Sequence, residues 1–346
     1  METMARITGG VDTHLEVHVA AAVNQMGGVL GTASFPTTSS GYRQLLAWLS
    51  SFGEVTLVGV EGTGSYGAGL ARFLQGEGVA VVEVDRPNRQ QRRLSGKSDP
   101  IDAVSAARAA LGGTANGAAK TRDGNVEAIR VLRVAKISAR KARTQAVNQI
   151  HSLVCTAPDE LRDKLRGLTT GQLIQTCAHL RPGAGRDVTA VTKLTLRALA
   201  RRVQALQDEI DQLEAASRPL VIETAPALLA HKGVGPDTAA ALLVAAGDNP
   251  GRLRTEATFA RLCGAAPIPA TSGKTQNRHR LHRGGDRQAN SALWRIALTR
   301  MSNDPDTRDY VQRRTKEGLS KREVMRCLKR YIARELFPDL PGEMLA

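Results

Sequence analysis

Val55-Thr56-Leu57-Val58-Gly59-Val60-Glu61-Gly62-Thr63-Gly64-Ser65-Tyr66-Gly67 sets the fold class. Val55–Val60 is a continuous apolar run rich in β-branched residues, the pattern of a buried strand. It stops at a carboxylate, Glu61, and passes into a glycine turn. Helical spacing resumes around Ala68–Gln75, and another strand-like run follows at Val79–Val84. Upstream, Ile7–Asp12, Leu15–Val23 and Gly28–Phe35 follow one another with no room for a crossover helix, so they form hairpins rather than a parallel sheet. Ser40–Ser50 then has helical spacing, with Tyr42, Leu45, Leu46 and Leu49 on one side. Downstream, Asp99-Pro100 reads as an N-cap and first-turn proline opening a helix through Leu111. Three strands in hairpin succession, then alternating helix and strand, give an α/β RNase H-like N-terminal domain.

Small, polar Gly112–Gly124 reads as a linker, closing a first domain at residues 1–124. Residues 125–219 read as a basic helical or coiled-coil linker region. A long helix from Asn125 to about Val154 carries Arg130, Arg133, Lys136, Arg140, Lys141 and Arg143, with a narrow seam of Leu132, Ala135, Ala139, Ala142 and Ala146. Leu199, Val203, Leu206, Ile210 and Leu213 repeat at heptad spacing over two heptads. That suits a short intramolecular helical pair or a coiled-coil dimer contact. Residues 220–346 read as a mainly α C-terminal domain. There HKGVGPDTAAALLVAAGD places Gly233-Val234-Gly235 before an apolar helix. The turn resembles that of a helix-hairpin-helix, whose backbone amides grip phosphate; equally, it is a tight turn before a core helix. A helix starts near Ser291, and the tail from Arg313 to Arg334 reads as one basic helix.

Lys plus Arg number 48 against 33 Asp plus Glu, a net charge of +15 that calls for a polyanionic partner. An anionic membrane is the weaker candidate. The longest apolar run, within Thr238–Gly247, is about half of a membrane span, and METMARITGG lacks the apolar stretch of a signal peptide. Cys155, Cys177, Cys263 and Cys327 form no CxxC, and His279 and His282 have no matching pair, so reduced thiols and no zinc site are expected. Aromatics are only 3%, which favours arginine contacts to phosphate over base stacking.

Four carboxylates sit where phosphoryl transfer wants them. Asp12 ends the first strand and Glu61 ends the Val55–Val60 strand, while Asp99 and Asp102 share one face of a helix start. Two hard divalent cations need oxygen ligands from separate elements and can clamp the attacking and leaving oxygens of a phosphodiester. Each carboxylate alone has a plainer role: a turn residue, an N-cap, a solvated first-turn acid. Glu61 is hardest to treat so, because a carboxylate closing so apolar a run is costly if buried alone. Gly62, Gly64 and Gly67 also spell GxGxxG between strand and helix, with Glu83 or Asp85 about 20 residues on, the dinucleotide fingerprint. It ranks second, since Glu61 would lie beside the pyrophosphate and this strand is not the first of its sheet.

VDTHLEVHVAAAV, VGVEGTGSYG and KSDPIDA, followed by HKGVGPDTAAALLVAAGD and PATSGKTQNRHRLHRGGDRQANSAL, resemble the DEDD transposase family of bacterial insertion sequences, in the family's order over nearly the whole chain. The resemblance implies a RuvC-like N-terminal domain with catalytic, metal-holding residues Asp12, Glu61, Asp99 and Asp102. It further implies a helical linker and a C-terminal transposase domain with a nucleophilic serine. The matching position is Ser272, in Thr271-Ser272-Gly273-Lys274; the family often has two serines there, and here the first is Thr271. Two Mg²⁺ ions are implied, with Mn²⁺ as a substitute. Implied partners are element and target double-stranded DNA and a structured non-coding guide RNA. Arg130, Arg133, Lys136, Arg140, Arg143, Lys274, Arg278, Arg280 and Arg283 are the candidate phosphate contacts. Two cuts on duplex DNA suggest a homo-oligomer, dimer or tetramer. The expected setting is the bacterial cytoplasm, at the nucleoid when active. A RuvC-like hydrolytic nuclease would explain the carboxylates but not the late SGK block; a non-catalytic nucleic-acid-binding protein would explain the charge but not the carboxylates.

Overall fold

The computed structural model describes residues 5–84, 98–115, 117–248, 253–269, 271, 279–282 and 284–341. The chain divides into two compact units, Met1–Gly124 together with Ala241–Ala346, and Asn125–Ala240.

In the first unit, β1 (Arg6–Thr13), β2 (Val17–Val23) and β3 (Val29–Pro36) run antiparallel, because connections this short permit only hairpins. After α1 (Ser39–Ser50), β4 (Glu54–Glu61) lies parallel to β1, and α2 (Ala68–Gly76) crosses over to β5 (Ala80–Val84), parallel to β4. The sheet order is β3-β2-β1-β4-β5, with β6 (Gly117–Ala118) beyond β5 at the edge. Ile7, Val11, Ala20, Ala22, Val58 and Val60 face Leu45 and Leu49 of α1 and Leu70 and Leu74 of α2. The four leucines are fully buried, each contributing roughly 1.5–3 kcal/mol. On the opposite face, Val19 and Ala21 pack against Ala103 of α3 (Asp99–Leu111). Only the second half of β4, Val58–Val60, is buried.

The expected linker at 112–124 is instead partly built into the sheet. Gly117–Ala118 forms β6, antiparallel to β5 through Val82↔Ala118 and Glu83↔Gly117, and Ala119 is fully buried. Gly117 itself is exposed, so the strand sits at the open edge of the sheet.

His18 of β2 is completely buried and stacked on Tyr42, with ring centroids 5.8 Å apart. Neither ring nitrogen has a hydrogen-bond partner among the described residues. Burial, helped by nearby His14, lowers its pKa to about 4. A histidine charged in the unfolded chain near 6.5 but neutral in the fold favours the folded state above that pH, and this stability is lost as pH falls toward 4. Urea denaturation of His18→Phe should therefore show a smaller stability loss between pH 7 and pH 5, by about 2 kcal/mol. Parallel pH profiles of the two proteins would contradict this.

The second unit is a helical hairpin. α4 (Asn125–Cys155) and α7 (Val188–Thr224) are antiparallel, since Arg143 meets Gln207 and Lys136 meets Glu214. α5 (Asp159–Leu165) and α6 (Thr170–Ala178) pack at its tip around Ile150, Val154, Leu161, Leu165, Leu173 and Leu196. Val203 and Ile210 of the heptad run are buried within this unit, so the intramolecular pair exists. α7 continues through Pro219 to Thr224.

The buried line on α4 differs from the alanine seam. It includes two cations, Arg133 (6% exposed) and Lys136 (5%). Arg133 Nη1 lies 3.1 Å and Lys136 Nζ 3.2 Å from Asp237 Oδ1, Arg140 Nη1 lies 3.3 Å from Asp237 Oδ2, and Lys136 also pairs with Glu214 at 3.0 Å. Asp237 sits in the first turn of α9 (Pro236–Ala246), after the short α8 (Pro226–Ala230). Removing one partner of a buried pair leaves a charge without its counterion. Asp237→Ala should destabilise this unit by roughly 3 kcal/mol, and Asp237→Asn by less. Equal thermal unfolding of Asp237→Ala and wild type would show that these contacts contribute nothing.

In the C-terminal segment, α10 (Glu256–Leu262) is followed by a two-stranded ribbon of β7 (Pro267–Pro269) and β8 (His279–Leu281), then by α11 (Arg287–Asn303). The expected single tail helix is broken. α12 (Pro305–Lys316) and α13 (Lys321–Leu336) are separated at Gly318, φ +91°. Ser320 and Glu323 form a capping box that starts α13, a Ser-x-x-Glu signal present in the sequence. Among the described residues, no helix is long and apolar enough to cross a membrane.

Candidate functional site

Two glycines place the acidic helix over the strand ends. A Cβ on Gly10 would lie 2.1 Å from the Ala107 nitrogen and 2.3 Å from the Ala103 oxygen; one on Gly59 would lie 2.6 Å from the Ala106 oxygen. The facing side of α3 is Ala103, Ala106, Ala107 and Ala110, all buried. Glycine against alanine lets helix and sheet approach with almost no side chain between them. Strand side chains alternate, so Asp12 shares the α3 face with Gly10, and Glu61 shares it with Gly59. The pairing Val11↔Val60 sets the two strand ends side by side.

At the start of α3, Ser98 is the N-cap residue and Asp99 the first helical residue. The cap reading of Asp99 is thereby corrected by one position, and its carboxylate is turned to other use. His14 Nε2 lies 3.1 Å from Asp12 Oδ2 and 3.5 Å from Asp99 Oδ1. Asp12 is buried at 6% exposure and Asp102 at 5%. Burial, first, pushes the Asp12 carboxyl above its ordinary range; Asp102 and Asp99 add to the rise, and His14 opposes it. A buried carboxylate raised by desolvation and by two neighbouring carboxylates marks a place short of positive charge. Asp12, His14 and Asp99 each offer a ligand atom, all within 4.8 Å of one another. This donor set fits a divalent cation. Glu61 closes β4, and its carbonyl accepts from Thr13 Oγ1 at 2.8 Å, tying the two strand ends together.

His14 escaped the sequence reading. The available signal was its position two residues after Asp12 at a strand end, where residues i and i+2 share a face. The rival glycine fingerprint has local uses: Gly62 adopts φ +66°, and a Cβ on Gly67 would meet the Glu61 oxygen at 2.8 Å.

The remaining candidates are placed differently. Arg130 is bound to Glu127 of its own helix at 2.6 and 2.8 Å. Arg133, Lys136 and Arg140 converge on Asp237, and Arg143 donates to Gln207. Arg280 is exposed on β8. Ser272, Lys274, Arg278 and Arg283 lie outside the described residues. At the Gly-Val-Gly turn, Gly233 takes φ +76° and Gly235 N donates to Thr238 Oγ1 at 2.9 Å. The following helix is buried almost throughout, from Ala239 to Ala246.

Residues 9–157 match the IS110-type DEDD family model described as "Transposase", and residues 225–312 match the model described as "Transposase IS116/IS110/IS902 family". The chain is similar to the insertion element IS110 uncharacterized 43.6 kDa protein of Streptomyces coelicolor, 34% identical over 161 residues, covering 46% of this chain and 38% of that protein. It is also similar to the insertion element IS900 uncharacterized 42 kDa protein of Mycobacterium paratuberculosis, 28% identical over 151 residues, 43% of this chain and 37% of that protein. Each alignment thus spans less than two-fifths of the relative's length. In order along the chain there thus lie a DEDD-type transposase domain of the IS110 type and a C-terminal transposase domain of the IS116/IS110/IS902 family.

Proposed function

We propose that this chain cuts and rejoins DNA to move an insertion sequence, with a metal-assisted serine nucleophile. The observation that carries this reading is the convergence of Asp12 with Asp99, beside the end of the Glu61 strand, inside the segment matched by the DEDD model. The strand order, with β1–β3 antiparallel and β4 and β5 parallel to β1, supports an RNase H-like and RuvC-like N-terminal domain.

Asp12, Glu61, Asp99 and Asp102 would hold Mg²⁺, as two ions. Bound there, the cations would neutralise the scissile phosphate and stabilise the leaving oxygen. Ser272 Oγ attacks phosphorus and loses its proton. A serine–phosphate bond forms, the P–O bond to the deoxyribose breaks, and the sugar oxygen leaves as a hydroxyl. The phosphodiester energy is thereby conserved for rejoining. Lys274, Arg278, Arg280 and Arg283 neutralise phosphate around that serine. The +15 charge suits binding to DNA and to a structured guide RNA. Two coordinated cuts call for a dimer or tetramer. Residues 1–124, 125–219 and 220–346 are the catalytic, linker and transposase regions of this scheme.

The test is product analysis. The protein, a candidate element junction, the flanking transcript and Mg²⁺ are incubated, and strands are mapped on sequencing gels. Rejoined strands in a new combination are expected. Free ends alone would make the chain a hydrolytic nuclease, and binding without any strand change would remove the enzymatic reading.

A further inference from the structure

We propose that His14 is a nitrogen ligand of the same metal site and tilts it toward Mn²⁺ over Mg²⁺, an inference that rests on the metal-holding role given to Asp12 and Asp99 above. In an octahedral shell with bonds of ~2.1 Å, neighbouring ligand atoms lie about 3 Å apart and opposite ones about 4.2 Å. His14 Nε2 stands 3.1 Å from Asp12 Oδ2 and 3.5 Å from Asp99 Oδ1, the separations of neighbouring positions on one ion. All three ligand atoms fall within 4.8 Å, and among the described residues no other such trio of His, Cys, Asp or Glu converges.

The imidazole is held there by the chain. His14 follows the end of β1, and its carbonyl accepts from Thr37 Oγ1 at 3.4 Å, just beyond β3. It lies between a buried and a half-exposed carboxylate, so it bridges the inner and outer parts of the acidic site. Mg²⁺ prefers an all-oxygen shell and gains little from imidazole, whereas Mn²⁺ accepts mixed nitrogen and oxygen donors. One histidine among carboxylates therefore raises affinity for Mn²⁺ selectively. A purely positioning histidine, hydrogen-bonded to Asp12, would favour both cations alike.

The experiment uses the full chain without nucleic acid. Mn²⁺ binding is followed by electron paramagnetic resonance, Mg²⁺ binding by competition, and the ligand nitrogen by ¹⁴N hyperfine modulation in the pulsed spectrum. Wild type and His18→Phe should both show nitrogen modulation. His14→Ala and His14→Gln should lose it, and their preference for Mn²⁺ over Mg²⁺ should fall by about tenfold. Nitrogen modulation that survives in both His14 variants, or an unchanged Mn²⁺-to-Mg²⁺ ratio, would overturn the assignment while leaving the acidic site intact. If wild type binds neither cation more tightly than Asp12→Asn does, the metal site itself is wrong, and the inference falls with it.

Discussion

Asp12→Asn should abolish strand exchange, by about 10³-fold or more, while making the metal-free protein more stable at neutral pH. The two effects have one cause. Asp12 is buried beside Asp99 and Asp102, and its carboxyl is pushed above the ordinary carboxylate value, by burial first. A raised acid contributes its full stability below the unfolded-state value near 3.8, and that contribution is lost as pH rises through the higher folded-state value. The isosteric amide carries no charge, so it escapes the penalty at pH 7 and gains nothing at pH 3. It also cannot neutralise a cation. Mg²⁺ should accordingly raise the melting temperature of wild type and leave that of Asp12→Asn unmoved. Thermal melts at pH 7 with EDTA and with Mg²⁺ check this. A variant that is less stable than wild type in EDTA would mean that Asp12 is a structural hydrogen-bonding residue rather than a strained ligand.

Gly10→Ala should be as damaging to the fold as Asp12→Asn is to the chemistry. The new methyl would meet the Ala107 nitrogen at 2.1 Å and the Ala103 oxygen at 2.3 Å, both backbone atoms of a helix that cannot give way locally. α3 would have to lift off the sheet, taking Asp99 and Asp102 with it. A cost of ~3 kcal/mol or more is expected, with loss of activity even where the protein still folds. Gly76→Ala is the control, since its Cβ would meet nothing within 4 Å; it should be neutral or stabilising by up to ~1 kcal/mol. Comparable denaturation midpoints for Gly10→Ala and Gly76→Ala would contradict the close helix–sheet approach.

Much of the N-terminal sheet was legible because its signals are local. Hairpin-length connections dictate antiparallel β1–β3, and a strand–helix–strand run dictates the parallel pair. The same holds for Asp-Pro at a helix start, which misplaced the cap by a single residue. What escaped depends on three-dimensional neighbours. Arg133 and Lys136 look like solvated cations on a basic helix, yet they are buried, because Asp237, about 100 residues later, supplies the counter-charge. Gly117–Ala118 looks like a linker because an edge strand of two small residues has no periodicity to read. His14 was legible in principle, but its meaning depends on Asp99 folding back across the strand ends.

A serine nucleophile that depends on the acidic site must pass through a covalent protein–DNA link, which can be trapped. Wild type, Ser272→Ala and Glu61→Gln would be incubated with end-labelled element junction, flanking transcript and Mg²⁺, then resolved on a denaturing gel. A protein–DNA adduct is expected in wild type and absent from both variants. Cleaved free ends that persist in Ser272→Ala but vanish in Glu61→Gln would contradict it, leaving a metal-dependent nuclease in its place.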